Sequence, residues 1–86
     1  MDSYKLLFKT SAVKELRRIS KPPLEKLMQK IAGLAQHPRP GGIQMLRGDE
    51  RCYRLRHGDY RIIYEIDDAG KTVTIIKIGH RREVYD

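Results

Sequence analysis

The dipeptide Gly58-Asp59 separates two strand-like runs, Cys52 to His57 and Tyr60 to Asp67. A two-residue loop reading Gly-Asp suits a type II′ turn, whose first central residue needs a positive φ. Pairing His57 with Tyr60 then sets the whole register: Arg56 faces Arg61, Leu55 faces Ile62 and Arg54 faces Ile63. Side chains alternate across a strand, so Arg54, Arg56 and Arg61 share one face while Tyr53, Leu55, Ile62 and Tyr64 share the other. Like charges directly opposed in a sheet are destabilising. Two of them about 5 Å apart repel by roughly 1 kcal/mol in water and by a few kcal/mol where the effective dielectric is lower. A chain that places three arginines this way is expected to use that face for something anionic.

The next turn, Asp68-Ala69-Gly70, suits a three-residue loop with Gly70 in the left-handed position. That register pairs Asp67 with Lys71 and Arg61 with Lys77. It sets Val73, Ile75, Lys77, Gly79 and Arg81 on the arginine face, and Thr72, Thr74, Ile76 and Ile78 on the other. A four-residue loop would swap these sets and press Lys77 against Ile62, so the three-residue reading is the expectation.

Upstream, Tyr4 to Lys9 reads as a short strand. Ser11 to Ser20 carries Ala12, Val13, Leu16 and Ile19 at helical spacing. Pro22 and Pro23 end that helix and can open the next, because proline is tolerated in a first helical turn. The second helix carries the stripe Leu24, Leu27, Met28, Ile31, Leu34 and Ala35. His37-Pro38-Arg39-Pro40-Gly41-Gly42 is a loop, and Ile43 to Leu46 forms a short strand or edge segment. The expected fold is α+β: an antiparallel sheet with two N-terminal helices packed on one face and the charged face open.

Composition narrows the function. Lysine and arginine number 18 against 11 acids, a formal charge of +7 with a pI near 9.8. Such a balance points to nucleic acid or another polyanion as partner. The 86 residues are expected to form one small domain with a thin core. No apolar run approaches the roughly 20 residues of a membrane helix. Cys52 is the single cysteine, so neither an internal disulfide nor a cysteine-built zinc site can form, and a reducing, cytoplasmic setting is the simplest inference.

The order strand, helix, helix, three strands, with the motifs LRG followed by CYRLR, then GDYRIIYEI, then IGHRREVY, resembles the RelE/ParE toxin superfamily. It is most similar to the RelE branch of messenger-RNA-cleaving toxins, over residues 1–86. The resemblance implies a type II toxin that cleaves messenger RNA in the ribosomal A site, where the 2′-hydroxyl attacks the adjacent phosphate and expels the 5′-oxygen. It implies catalytic roles for Arg54 and Arg56 beside the scissile phosphate, Arg61 on the developing negative charge, Arg81 at the leaving group and Tyr85 stacked on the substrate base. Arg47 sits where a further basic residue supports the RNA, and Lys77 joins it as an RNA-binding residue. The best-known branch members have lysines where this chain has Arg54 and Arg56. Arginine neutralises charge but effectively cannot lose its proton, so Glu65 and His80 stand as other candidates for a general base, with strand parity placing His80 toward the helices. The implied partners are a RelB-like antitoxin in a toxin–antitoxin hetero-oligomer, the ribosome and its message; neither a cofactor nor a metal nor a membrane is implied. Two other readings stay open at this point: a ParE-like inhibitor of DNA gyrase, and a catalytically weak RNA-binding toxin homologue.

Overall fold

A computed structural model describes residues 3–48 and 51–80. The elements run β1 (Lys5–Phe8), α1 (Thr10–Arg17), α2 (Lys21–Gly33), β2 (Gln44–Met45), β3 (Cys52–His57), β4 (Tyr60–Asp67) and β5 (Thr72–His80). The five strands form one sheet in the order β1-β5-β4-β3-β2. Helices and strands fall in the expected chain order. The sheet is mixed, since β1 pairs in parallel with β5 from Lys5↔Thr72 to Phe8↔Ile75, while all other pairs are antiparallel. A first strand that must return to the sheet after two helices and three strands can lie alongside the last one in either direction, and the sequence pattern holds no information on which.

Pro22 and Pro23 occupy the first turn of α2, where backbone N–H groups have no helical acceptor to lose. The last turn tightens through Leu34 N to Ile31 O at 3.0 Å and Ala35 N to Ala32 O at 3.2 Å. Leu27, Ile31 and Leu34 from the α2 stripe and Ala12 from α1 bury against Leu55, Ile62, Tyr64, Ile66, Val73, Ile75 and Ile78 of the sheet. Each fully buried aliphatic side chain contributes roughly 1.5–3 kcal/mol. Tyr64 is fully buried as well, and its hydroxyl donates to Pro38 O at 2.8 Å, which ties the loop after α2 to the sheet.

The β3–β4 hairpin has the expected register, residue for residue, from His57↔Tyr60 back to Arg54↔Ile63. Gly58 has φ +59°, the backbone that the turn demands.

The β4–β5 hairpin departs from expectation. Asp67 pairs with Thr72, so the loop has four residues, and Lys71 rather than Gly70 takes the left-handed conformation at φ 55°. Val73 and Ile75 therefore face the core, opposite Ile66 and Tyr64, and do not lie on the arginine face. The objection to a four-residue loop was that Lys77 would meet Ile62. A β-bulge removes it: the register steps between Ile63 and Tyr64, passing from Tyr64↔Ile75 to Ile63↔Lys77, with Ile76 as the extra residue. Beyond the bulge Ile78 and His80 face the helices, and Lys77 and Gly79 fall on the arginine side. Arg61 accordingly pairs with Gly79 rather than with Lys77.

Helix α1 stabilises the bulged segment. Ser11 Oγ donates to Ile76 O at 3.1 Å, and Glu15 Oε1 accepts from Ile78 N at 2.8 Å. The β1 pairing ends at Ile75, so these two side chains serve the edge of β5 where, among the described residues, no strand continues.

Candidate functional site

The outer face of β3 and β4 brings together the three arginines as the turn chemistry requires. Arg56 stands directly opposite Arg61, and Arg54 lies two residues along β3 from Arg56, opposite Ile63. Their exposures differ sharply. Arg56 is exposed and Arg61 half-buried, whereas Arg54 is only 9% exposed. Burial, followed by the charges of Arg61 and Arg56, lowers the Arg54 pKa from the usual guanidinium value. The direction is that of a cation held against its own electrostatic preference, which costs free energy in the resting protein.

The short strand β2 lies alongside Arg54. It docks on β3 with Gln44↔Arg54 and Met45↔Tyr53, continued by Leu46 N to Cys52 O at 2.8 Å. The Gln44 side-chain oxygen accepts a hydrogen bond from Arg54 Nη2. Two hollows flank this pair. One of about 160 Å³ is lined by Gly42, Gln44, Arg54 and Arg56; the other, of about 410 Å³, by Gln44, Met45, Leu46, Arg47 and Arg54. Arg47 is thus carried to the arginine side by β2 and the chain that follows it.

Lys77 lies in the same row as Arg54 and Ile63, but its ammonium reaches Glu15 Oε2 at 3.3 Å, so part of its charge is answered from α1. Glu65 pairs with Cys52 and Thr74, two pairs beyond Arg54 and Ile63. His80 packs edge-on against Tyr60 with ring centroids 5.4 Å apart and its Nε2 4.0 Å from Asp59, on the helix-facing side as parity required. Arg81 and Tyr85 lie outside the described residues.

Two features were not legible in the sequence. Gln44 drew no notice because a two-residue strand leaves no periodic signal, and its meeting with Arg54 depends on a pairing across 10 residues. The second is a polar clamp at the opposite end of the sheet. Arg39 donates to both Asp68 oxygens at 3.2 and 2.8 Å, to Tyr53 Oη at 3.2 Å, and lies 5.4 Å above the Tyr53 ring. Tyr4 Oη donates to Asp68 Oδ1 at 2.6 Å. The hydrogen bonds from Arg39 and then Tyr4 pull the Asp68 carboxyl down to about 2. This clamp and the Tyr64–Pro38 bond anchor the adjacent residues Pro38 and Arg39 in the loop that leads from α2 to β2.

A family model described as the ParE toxin of the parDE type II toxin–antitoxin system matches residues 6–85. The chain belongs to the RelE/ParE toxin family. Within the family it is similar to the curated mRNA interferase toxin RelE of Escherichia coli, at 34% identity over 96% of this chain and 90% of that one. The crystal structure of the isolated E. coli RelE toxin superposes with a TM-score of 0.81 at 30% identity, covering 91% of this chain and 84% of the other. The RelE chain of the archaeal RelE–RelB complex from Pyrococcus horikoshii OT3 superposes at 0.83 and 26% identity, over 95% and 99% of the two chains. The molecule is therefore a RelE-family toxin of the type II toxin–antitoxin class, with a cationic face built on β3 and β4.

Proposed function

We propose that this toxin is a ribosome-dependent endoribonuclease that cleaves messenger RNA in the A site. The observation that carries this reading is the arginine face itself: Arg56 held opposite Arg61 with the buried Arg54 beside them, bordered by two hollows. In the reaction the 2′-oxygen bonds to the adjacent phosphorus and the bond to the 5′-oxygen breaks. The phosphorane between these states carries more negative charge than the diester, so preorganised cations stabilise it preferentially. Guanidinium groups match the oxygens of phosphate in forked pairs. Arg61 takes the developing charge, Arg54 and Arg56 flank the phosphate, and Arg47 and Lys77 support the RNA on either side. Arg81 and Tyr85 complete the set: the Arg81 guanidinium hydrogen-bonds to the leaving 5′-oxygen, which takes its proton from water, and Tyr85 stacks on the base, a contact worth roughly 1–3 kcal/mol. Neither Arg54 nor Arg56 can take the 2′-hydroxyl proton, so this face acts by orientation and charge, and the proton passes to solvent base.

The sibling E. coli protein is named an mRNA interferase, which supports the same chemistry here. The P. horikoshii neighbour is a complex with RelB. A RelB-like antitoxin with an acidic segment that folds on binding would complement a chain of charge +7. The decisive experiment adds purified protein to a translating system and reads the message by primer extension. Breaks within codons that require ribosomes are expected; an intact message overturns the reading.

The description of the matching family model as a ParE toxin favours gyrase inhibition as a second reading. Arg61→Ala separates the two. A nuclease loses toxicity with this variant, whereas a gyrase poison retains it and provokes a DNA-damage response.

A further inference from the structure

We infer that Glu15 is a positioning residue for the arginine face: from α1 it holds the edge of β5 beyond the end of β1, and so fixes the bulged segment that sets Gly79 opposite Arg61. This deepens the nuclease reading and rests on it. One carboxylate makes two contacts there. Its Oε1 accepts from Ile78 N at 2.8 Å and its Oε2 accepts from Lys77 Nζ at 3.3 Å. One turn earlier on the same side of α1, Ser11 Oγ donates to Ile76 O at 3.1 Å. Just before the helix begins, Lys9 N donates to Ile75 O at 2.9 Å. As β1 gives way to α1, the edge of β5 is thus served by backbone up to Ile75 and by side chains from Ile76 onward.

The bulge decides what stands beside the arginines. Without it, the register of Tyr64↔Ile75 would continue to Lys77 against Ile62 and Ile78 against Arg61. With it, Lys77 joins the row of Ile63 and Arg54, and Gly79 faces Arg61. The hydrophobic pattern selects this register, since Ile62 and Ile78 are buried and Lys77 is exposed. Selecting a register does not make it rigid. A bulge leaves one residue out of the ladder, and an edge segment with few backbone partners is among the first to open. Ile78 is only 1% exposed, so its outward N–H needs an acceptor from the protein. The Glu15 carboxylate supplies one, and a charged acceptor bonds more strongly than a neutral one. Arg61 lies on β4 directly against this segment, so the aim of its guanidinium depends on how well β5 keeps its place. The bond to Ile78 N carries the effect; the half-exposed pair with Lys77 is screened by water and adds little.

Glu15→Ala and Glu15→Gln separate the backbone bond from the charge, because an amide oxygen still accepts from Ile78 N but carries no charge for Lys77. Two readouts on the full chain are compared. The first is amide hydrogen exchange by NMR in the free protein; the second is single-turnover ribosome-dependent cleavage at varied ribosome concentration. Glu15→Ala is expected to speed exchange at Ile78 N–H by at least about tenfold more than at the amides of the β3–β4 ladder. It should also lower the maximal cleavage rate roughly tenfold, with half-saturation changed less than about twofold, as befits lost orientation rather than lost binding. Glu15→Gln is expected to restore both to within about threefold of the wild type. Ile31→Val, which trims the core on the helical side of the sheet, controls for lost stability and should leave the maximal rate unchanged. If Glu15→Ala does not fold, Glu15→Asp, one methylene shorter, is read in its place. An Ile78 amide that exchanges no faster than the ladder overturns the inference whether or not the wild type cleaves, and so does an unchanged maximal rate. A Glu15→Gln protein as slow as Glu15→Ala overturns the part assigned to the backbone bond. Wild-type protein that leaves the message whole overturns the nuclease reading itself, and the exchange result then stands apart from it.

Discussion

Replacing Arg56 by glutamine removes one of two cations that face each other across β3 and β4 and keeps a polar side chain of similar reach. Opposed side chains in an antiparallel pair start about 5 Å apart at Cβ. Coulomb's law gives a repulsion of about 0.8 kcal/mol there in water and about 3 kcal/mol at an effective dielectric near 20. Arg56 is exposed and its tip can splay away from Arg61, so solvent screening places the effect near the lower end, about 0.5–1 kcal/mol. Arg56→Gln is therefore expected to be more stable than the wild type by that amount. With a urea dependence of about 1 kcal/mol per M for a chain of this size, the unfolding midpoint rises by about 0.5–1 M at low salt. At an ionic strength of about 1 M the screening length falls to about 3 Å, and the advantage should vanish. The same variant should lose cleavage by at least about tenfold, because a stabilising charge on the phosphorane is gone. Urea unfolding followed by far-UV circular dichroism at both salt levels measures the first part. A variant less stable than the wild type, or equally stabilised at low and high salt, would refute the claim that this face stores electrostatic repulsion.

Four further outcomes follow from particular contacts. Asp68 is held below its ordinary value of 3.8, at about 2, so its contribution to stability is complete above about pH 4 and is lost as pH falls toward 2; Asp68→Asn should flatten acid destabilisation across that window, as measured by urea midpoints at several pH values. Ile75 is fully buried and Ile76 is the bulge residue, so Ile75→Ala should cost about 2–4 kcal/mol and Ile76→Ala less than about 1.5, by thermal unfolding; equal costs would contradict the bulge. Glu15→Ala removes the acceptor of Ile78 N and the partner of Lys77, at a cost of about 1–3 kcal/mol that Glu15→Gln should partly restore. With the 2′-hydroxyl proton passing to solvent base, the cleavage rate should climb with pH from about 6 to 9 without a plateau; a plateau would point instead to a titrating base on the protein, Glu65 and His80 being the candidates.

The first hairpin was readable because its information is local. Gly58 supplies the positive φ, the two-residue loop leaves one register, and strand alternation then sorts Arg54, Arg56 and Arg61 from Leu55 and Ile62. The helices were readable for a similar reason, since the Leu27, Ile31 and Leu34 stripe needs only its own spacing to declare a buried side.

The second hairpin shows where local reading ends. Its turn residues favoured three, yet the chain uses four, because that choice buries Val73 and Ile75 and a bulge at Ile76 then returns Lys77 to the charged side. The bulge depends on Ser11 and Glu15, more than sixty residues away, which bond the backbone it displaces. The parallel docking of β1 and the meeting of Gln44 with Arg54 are likewise non-local, made of contacts whose benefit exists only after the sheet is assembled. Turn stereochemistry and side-chain periodicity act within a few residues and so can be written in the order of amino acids. The pairing of distant edges and the satisfaction of displaced backbone groups are settled by the free energy of the whole packed molecule.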